Sequence, residues 1–406
     1  MKIDISKTVH ELIVTLSYVI DIDQSQNMHH SWRVSILAAR LSRKHVSPKR
    51  LKNIFYAGLL HDIGGMGLPL NIIHYLERND KTAQNVLLSH PIVGAQFVSE
   101  IPQMSDAAKL VLDHHEWIDG KGYPRAKTKD NIPWGSQVIR LADAIDIALQ
   151  TKAPREYGEL KGTLSQNINK EYSQELFDEA FSLLEKDDFF NKLSETNNLS
   201  GIFEETKKDV GIIRVNKKID AIGTTLEVIA EVADMKHPYT SGHSLRVSRY
   251  AMSIALAMKL AHDDITRIKW AGLIHDIGKV SVPRNILDKP GSLTPEEFQE
   301  VKKHVVHTAE IMKLLPSLTD ILPMAACHHE YFDGSGYPAG LKADEIPFGA
   351  RILTVCDAFD AMVSNRPYRN PLTPEEACNE IKRLSGKQFD PQIVEEALPL
   401  FRSLGL

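Results

Sequence analysis

Cysteine is scarce in this 406-residue chain: Cys327, Cys356 and Cys378 are the only three, an odd number clustered in the last fifth without a CxxC spacing. That argues against a disulfide framework and makes a reducing cytoplasm the default compartment. Long hydrophobic runs are also missing. The opening MKIDISKTVHELIVTLSYVIDID is interrupted by Thr15 and Ser17, closed by Asp21 and Asp23, and lacks a small-residue cleavage site, so neither a signal peptide nor membrane insertion is expected. Nor is there an excess of positive charge: 48 Lys and Arg face 53 Asp and Glu, for a net charge of −5. No global basic field exists for a nucleic-acid polymer or an anionic membrane, and an anionic ligand must be met by a local basic cluster. The 20 Pro and 23 Gly are scattered, which excludes collagen-like and low-complexity chains. The length is a prior for two or three domains.

What the chain does have is 17 histidines, and ten of them lie in a repeat. His61-Asp62-Ile63-Gly64 recurs 214 residues later as His275-Asp276-Ile277-Gly278. The same offset relates His90 to His304, the His-His-Glu triplets at 114 to 116 and 328 to 330, and Asp143-Ala-x-Asp146 to Asp357-Ala-x-Asp360. It also relates Asp119-Gly-x-Gly122-Tyr123-Pro124 to Asp333-Gly-x-Gly336-Tyr337-Pro338. His30-Ser-x-Arg33-Val matches His243-Ser-x-Arg246-Val at an offset of 213. A whole domain has been duplicated. The copies are expected over 1–190 and 213–406, with the polar stretch 191–212 as a connector.

The intervening segments read as helices. Apolar residues Ile219, Ile222, Leu226, Ile229, Ala230 and Ala233 make one helical stripe over 216–236, suited to a core or to a contact between domains or subunits. Thr294-Pro-Glu-Glu and Thr373-Pro-Glu-Glu are helix starts. No alternating β-branched runs bounded by hairpin turns occur, so the fold class is all-α.

Five His and two Asp per copy form a nitrogen and oxygen donor set without thiolate. Such a set suits Fe, Mn, Ni or Zn better than Mg or Ca. Seven side chains exceed what one zinc takes, which points to two metals sharing a carboxylate. Paired metals are a standard device for phosphoester hydrolysis, because they activate hydroxide and stabilise the attacking and leaving oxygens.

At this point the second copy is seen to resemble the HD-GYP family, the bacterial cyclic-dinucleotide phosphodiesterases of the HD superfamily. HSLRVSRYA, AGLIHDIGKVSVP, HHEYFDGSGYP, IPFGARILTVCDAFDAM and SNRPYR carry the resemblance in order, over about 213–400. It implies two tandem HD-superfamily helical domains. It also implies that His243, His275, Asp276, His304, His328, His329 and Asp357 ligate two divalent ions, Fe or Mn before Ni or Zn, with Asp276 as bridge and catalytic residue. Lys279 corresponds to a catalytic lysine that contacts the scissile phosphate, and Tyr337, Arg366 and Arg369 to substrate-binding positions. The implied reaction opens cyclic di-GMP or 3′,3′-cyclic GMP-AMP to the linear dinucleotide. Tyr239 stands where three-metal members have Glu, so two metals are expected, and Val305 replaces the usual Pro after His304.

The first copy keeps His30, His61, Asp62, His90, His114, His115 and Asp143, so a second metal site is chemically permitted. It has Gly65 in place of Lys279, and Lys152 and Arg155 in place of Arg366 and Arg369. A degenerate, regulatory copy is expected. His10, His29, His45, His74, His237, His262 and His307 fall outside the pattern and are read as surface or core histidines, with His237 closest to the substrate side. A homodimer or contacts with signalling proteins are admitted as partners, and the competing readings are a non-hydrolysing cyclic-dinucleotide sensor or adaptor and an HD hydrolase of another nucleotide.

Overall fold

The computed structural model describes residues 3–23, 29–67, 81–150, 157–216, 220–236, 241–365 and 370–403. Among them there are helices and isolated bridges but no strand, as the missing alternation predicts. No helix among them is long and apolar enough to cross a membrane.

Two compact units divide at Thr225/Leu226. In the first, helices Ile5–Asp23, His30–Ser42, Pro48–Leu60, Lys81–Glu100, Ser105–Leu112 and Trp134–Gln150 enclose a core that includes Leu12, Leu16, Leu37, Leu60 and Ile139. The second repeats the plan: His243–Ala257, His262–Ile274, Leu322–Ala326 and Phe348–Val363 correspond helix for helix. The long Lys81–Glu100 is represented there by two shorter helices, Pro295–Lys302 and His304–Met312.

Local sequence explains where these helices begin. Thr294 Oγ1 accepts from the Glu297 amide at 3.2 Å while Glu297 accepts from the Thr294 amide at 2.7 Å, and Thr373 and Glu376 repeat the arrangement. Two terminal amides are thereby satisfied and the helix cannot fray backward. The stripe at 216–236 forms the helix Ala221–Asp234, with Ile222, Leu226, Ile229 and Ala230 buried, while Ile219 lies outside the described residues.

The polar stretch 191–212, expected as a connector, is largely helical and groups with the first unit. It supplies Phe189–Ser194 and Thr196–Val210, both inside the first unit. Leu199, Ile202, Phe203, Thr206 and Val210 are buried, and the Phe203 ring stacks on Trp32 at 4.2 Å. Buried positions at three- and four-residue spacing are enough to dock a helix, and average polarity conceals them.

Candidate metal centre

His275 and Asp276 are sequence neighbours whose side chains would diverge by about 100° on a regular helix. The helix His262–Ile274 ends there, Asp276 leaves helical geometry (φ −101°, ψ 5°), and Ile277–Ser281 continues as a tighter 3-10 turn. That change of pitch turns both groups into one pocket. Gly278 lets the turn lie against the helix carrying His304: a Cβ built on it would overlap the His304 carbonyl oxygen. His243 opens its own helix, whose first turn is held by Asp234, which accepts from the Ser244 amide at 3.2 Å and from its hydroxyl at 3.0 Å.

The residues come together as the sequence predicts. Asp276 Oδ2 faces His243 Nε2 and His275 Nε2, both at 3.4 Å, while its Oδ1 faces His304 Nε2 at 3.3 Å and His328 Nε2 at 3.7 Å. One carboxylate thus spans two histidine pairs. Asp357 Oδ1 lies 3.2 Å from His243 Nε2, and His329 shares a donor cluster with His304 and His328. Lys279 donates to Asp276 Oδ2. Burial tends to raise the Asp276 pKa, but Lys279 and the surrounding imidazoles hold it well below the usual carboxylate range.

The donor set fits metal ions. His275, His304 and His328 each donate Nδ1–H to a backbone carbonyl, of Gly272, Val301 and Ala325, at 2.7 to 2.8 Å. Burial lowers all three, His304 and His328 to about 4, so the rings are neutral at pH 7 and their Nε2 lone pairs point inward. His304 Nε2 and His328 Nε2 stand 3.4 Å apart beside Asp276. Converging lone pairs and a carboxylate repel one another unless a cation lies among them. Among the described residues, His275 Nε2 and Asp276 Oδ1 are buried with no hydrogen-bond partner.

Four supporting residues escaped the sequence reading. Asp360 accepts from His243 Nδ1 at 2.7 Å and is gripped by Arg246 Nε at 2.7 Å, so it fixes which nitrogen of His243 faces inward. Glu330 accepts from the amides of Ala339 and Leu341 at 2.7 and 3.0 Å and pins the Gly-Tyr-Pro loop, where the Tyr337 ring stacks on His329 at 4.8 Å. Thr354 donates to the His328 carbonyl at 2.8 Å. All but Thr354 sit inside repeated motifs, which was the available signal. Val305 is buried and leaves the His304 contacts intact. Arg366, Arg369, Tyr239 and His237 lie outside the described residues, as do Lys152, Arg155 and His74 of the first copy.

The first copy builds the same cage. Asp62 Oδ2 faces His30 and His61 at 3.6 and 3.4 Å, and its Oδ1 faces His90 and His114 at 3.6 and 3.7 Å. Asp146 and Arg33 support His30 as Asp360 and Arg246 support His243. His115 joins Asp62, His90 and His114, and Asp143 joins His30 and His61. Two differences stand out. The turn after Asp62 carries Gly65 rather than a lysine. Arg140, at the position of Thr354, is largely buried and donates to Asp143 Oδ2 at 2.8 Å and to Glu171. Asp143 is fully buried, whereas the Asp357 side chain is 16% exposed. Of the other histidines, His10 bonds the Tyr56 hydroxyl and His45 bonds Glu179, away from either cage.

Two helical units, each with a buried His/Asp cluster whose donors suit metal ions, define a tandem helical protein. The HD domain family model matches residues 15–179 and 227–393, and the chain belongs to that family, once in each half. A cyclic di-GMP phosphodiesterase of Thermotoga maritima is 43% identical over 189 residues, 46% of this chain and 51% of the relative. The chain therefore spans about half the length of that relative. Two Vibrio cholerae relatives align further: 3′3′-cGAMP-specific phosphodiesterase 3, 28% identical over 80% of this chain and 69% of its own length, and phosphodiesterase 1, 25% identical over 97% and 92%. Among solved structures, the V. cholerae cyclic GMP-AMP specific phosphodiesterase V-cGAP3 superposes with a TM-score of 0.67 at 24% identity, over 98% of both chains, and shares the fold.

Proposed function

We propose that the chain is a metal-dependent phosphodiesterase that opens a purine cyclic dinucleotide, 3′,3′-cyclic GMP-AMP or cyclic di-GMP, to the linear dinucleotide in second-messenger signalling. The observation that carries this reading is the second copy's double cage, in which Asp276 spans two histidine pairs and Lys279 sits on the same carboxylate. His243, His275, His304, His328, His329, Asp276 and Asp357 would hold two divalent ions; the donor set suits Fe, Mn, Ni or Zn, and the family resemblance puts Fe or Mn first. When bound, such a pair supplies Lewis acidity toward the phosphodiester and lowers the pKa of attacking water.

The chain's own residues do the rest. Lys279 brings a positive charge to the rim of the cage, where negative charge develops on the phosphoryl oxygens, and its removal should cost about 10² to 10³ in rate. Asp360 and Arg246 keep His243 in one tautomer and orientation. Tyr337, half-buried against His329, closes one side of the pocket. Arg366 and Arg369 are assigned to the dinucleotide by their motif alone. The second copy, which begins within the helix Ala221–Asp234, is the catalytic domain. The first, lacking a lysine after Asp62 and with Asp143 tied to Arg140, is a non-catalytic, regulatory domain that retains a metal cage. The three free cysteines support a reducing cytoplasm as its compartment.

A product-resolved assay tests this. Purified protein loaded with Fe or Mn is given cyclic di-GMP and the 3′,3′- and 2′,3′-linked cyclic GMP-AMP isomers. A linear product is expected with one 3′,3′-linked substrate and none with His275→Ala or Asp276→Ala. Binding without turnover across every metal would favour a sensor, and undiminished turnover in both variants would sink the assignment.

A further inference from the structure

Outward from the second cage, aromatic rings and one cation alternate in contact. The His329 ring stacks on Tyr337 at 4.8 Å and 28°. Lys302 Nζ lies 5.0 Å from the Tyr337 ring centroid and 4.9 Å from that of Phe298, one helical turn before it on Pro295–Lys302. Phe298 is 46% exposed, so its ring face is open to solvent at the end of this series. The chain of contacts runs from a metal ligand to solvent in three steps.

Lys302 differs from its neighbours in how its charge is held. Lys303 pairs with Glu300 and Lys289 with Glu297 at 2.6 Å, while among the described residues no carboxylate lies within ion-pair distance of Lys302. A carboxylate would cancel the ammonium charge, whereas ring faces hold it in place and leave its N–H donors available to an anion. The first copy supplies an internal control. It keeps every cage residue, and Tyr123 still stacks on His115 at 4.7 Å, but the positions of Lys302 and Phe298 are Leu88 and Gln84. The cation beside Asp62 is lost from the same copy.

We propose that Lys302 and Phe298 form an outer subsite of the second copy: the ammonium meets the phosphodiester that is not being cut, and the exposed ring carries a purine. The inference rests on the cyclic-dinucleotide reading and deepens it. A ring-shaped dinucleotide presents a second phosphate when the first is at the cage. A cation fixed beside Tyr337 recognises that shape, while a substrate with one phosphate leaves it unused.

The test compares two substrates in metal-loaded full-length protein: a cyclic dinucleotide, and methyl p-nitrophenyl phosphate, a diester with one phosphate and no purine. Lys302→Gln should raise KM for the cyclic dinucleotide about tenfold, the worth of one charge-assisted hydrogen bond, while kcat, metal content and the rate on the small diester stay at wild-type levels. Lys302→Arg should restore most of the loss. Phe298→Ala should raise the same KM by about tenfold, a modest share of what stacking a base is worth. An unchanged KM in Lys302→Gln overturns the subsite. Equal losses on both substrates also overturn it, because they would make Lys302 structural. If the wild-type protein cleaves the small diester but no cyclic dinucleotide, the functional reading fails and the subsite falls with it.

Discussion

Asp360 would touch no metal, yet it sets the charge of a residue that would. Burial disfavours a protonated His243, but Asp276, Asp357 and Asp360 outweigh it and raise the imidazole well above its ordinary value of 6.5. His30, with Asp146 and Asp62, is raised in the same way. These rings carry a proton at pH 7 in the metal-free protein, and a metal ion must displace it. Metal loading at pH 7 should therefore release about one proton per filled copy. Isothermal titration in two buffers of different ionisation enthalpy measures this, with Asp360→Asn expected to shrink the release from the second copy. A heat that does not depend on the buffer would contradict it. The cage residues themselves were legible in the sequence because their side-chain chemistry is distinctive and each occurs twice. The roles of Asp360 and Arg246 were not, although both lie in repeated motifs, because they are 114 residues apart and their meeting is a property of the fold.

At the scale of elements, the close approach of the 3-10 turn Ile277–Ser281 to the helix His304–Met312 joins the two halves of the cage. It depends on one missing methyl group. Gly278→Ala would set a Cβ against the His304 carbonyl, where the obstacle is backbone and cannot swing aside. The substitution should destabilise the second unit by about 1 to 3 kcal/mol and displace His304. Thermal unfolding together with the metal content of the folded fraction checks this, and a variant with wild-type stability and full metal content would show that the turn has room to move. Helix starts at Thr294 and Thr373 could be read from sequence because a capping box is local. The docking of Thr196–Val210 could not, because Phe203 finds Trp32 across 171 residues and composition carries no trace of that pairing.

For the whole molecule, duplication gives two cages whose ligands are equivalent and whose surroundings are not. Lys279 answers to Gly65, Lys302 to Leu88, and Thr354 to Arg140, which ties up an oxygen of Asp143. Each difference leaves the first copy's His/Asp cluster assembled while removing a positive charge from its rim or engaging one of its carboxylates. Metal content and turnover should therefore separate by copy. Asp276→Ala should lower bound metal from about four ions per chain toward two and abolish hydrolysis, whereas Asp62→Ala should lower metal to the same extent and leave kcat unchanged. Elemental analysis and rate measurements on the same preparations decide the point. Loss of activity in both variants would make the first cage part of the catalytic apparatus, and retention of full metal in Asp62→Ala would mean that its imidazoles are held by buried polar contacts alone.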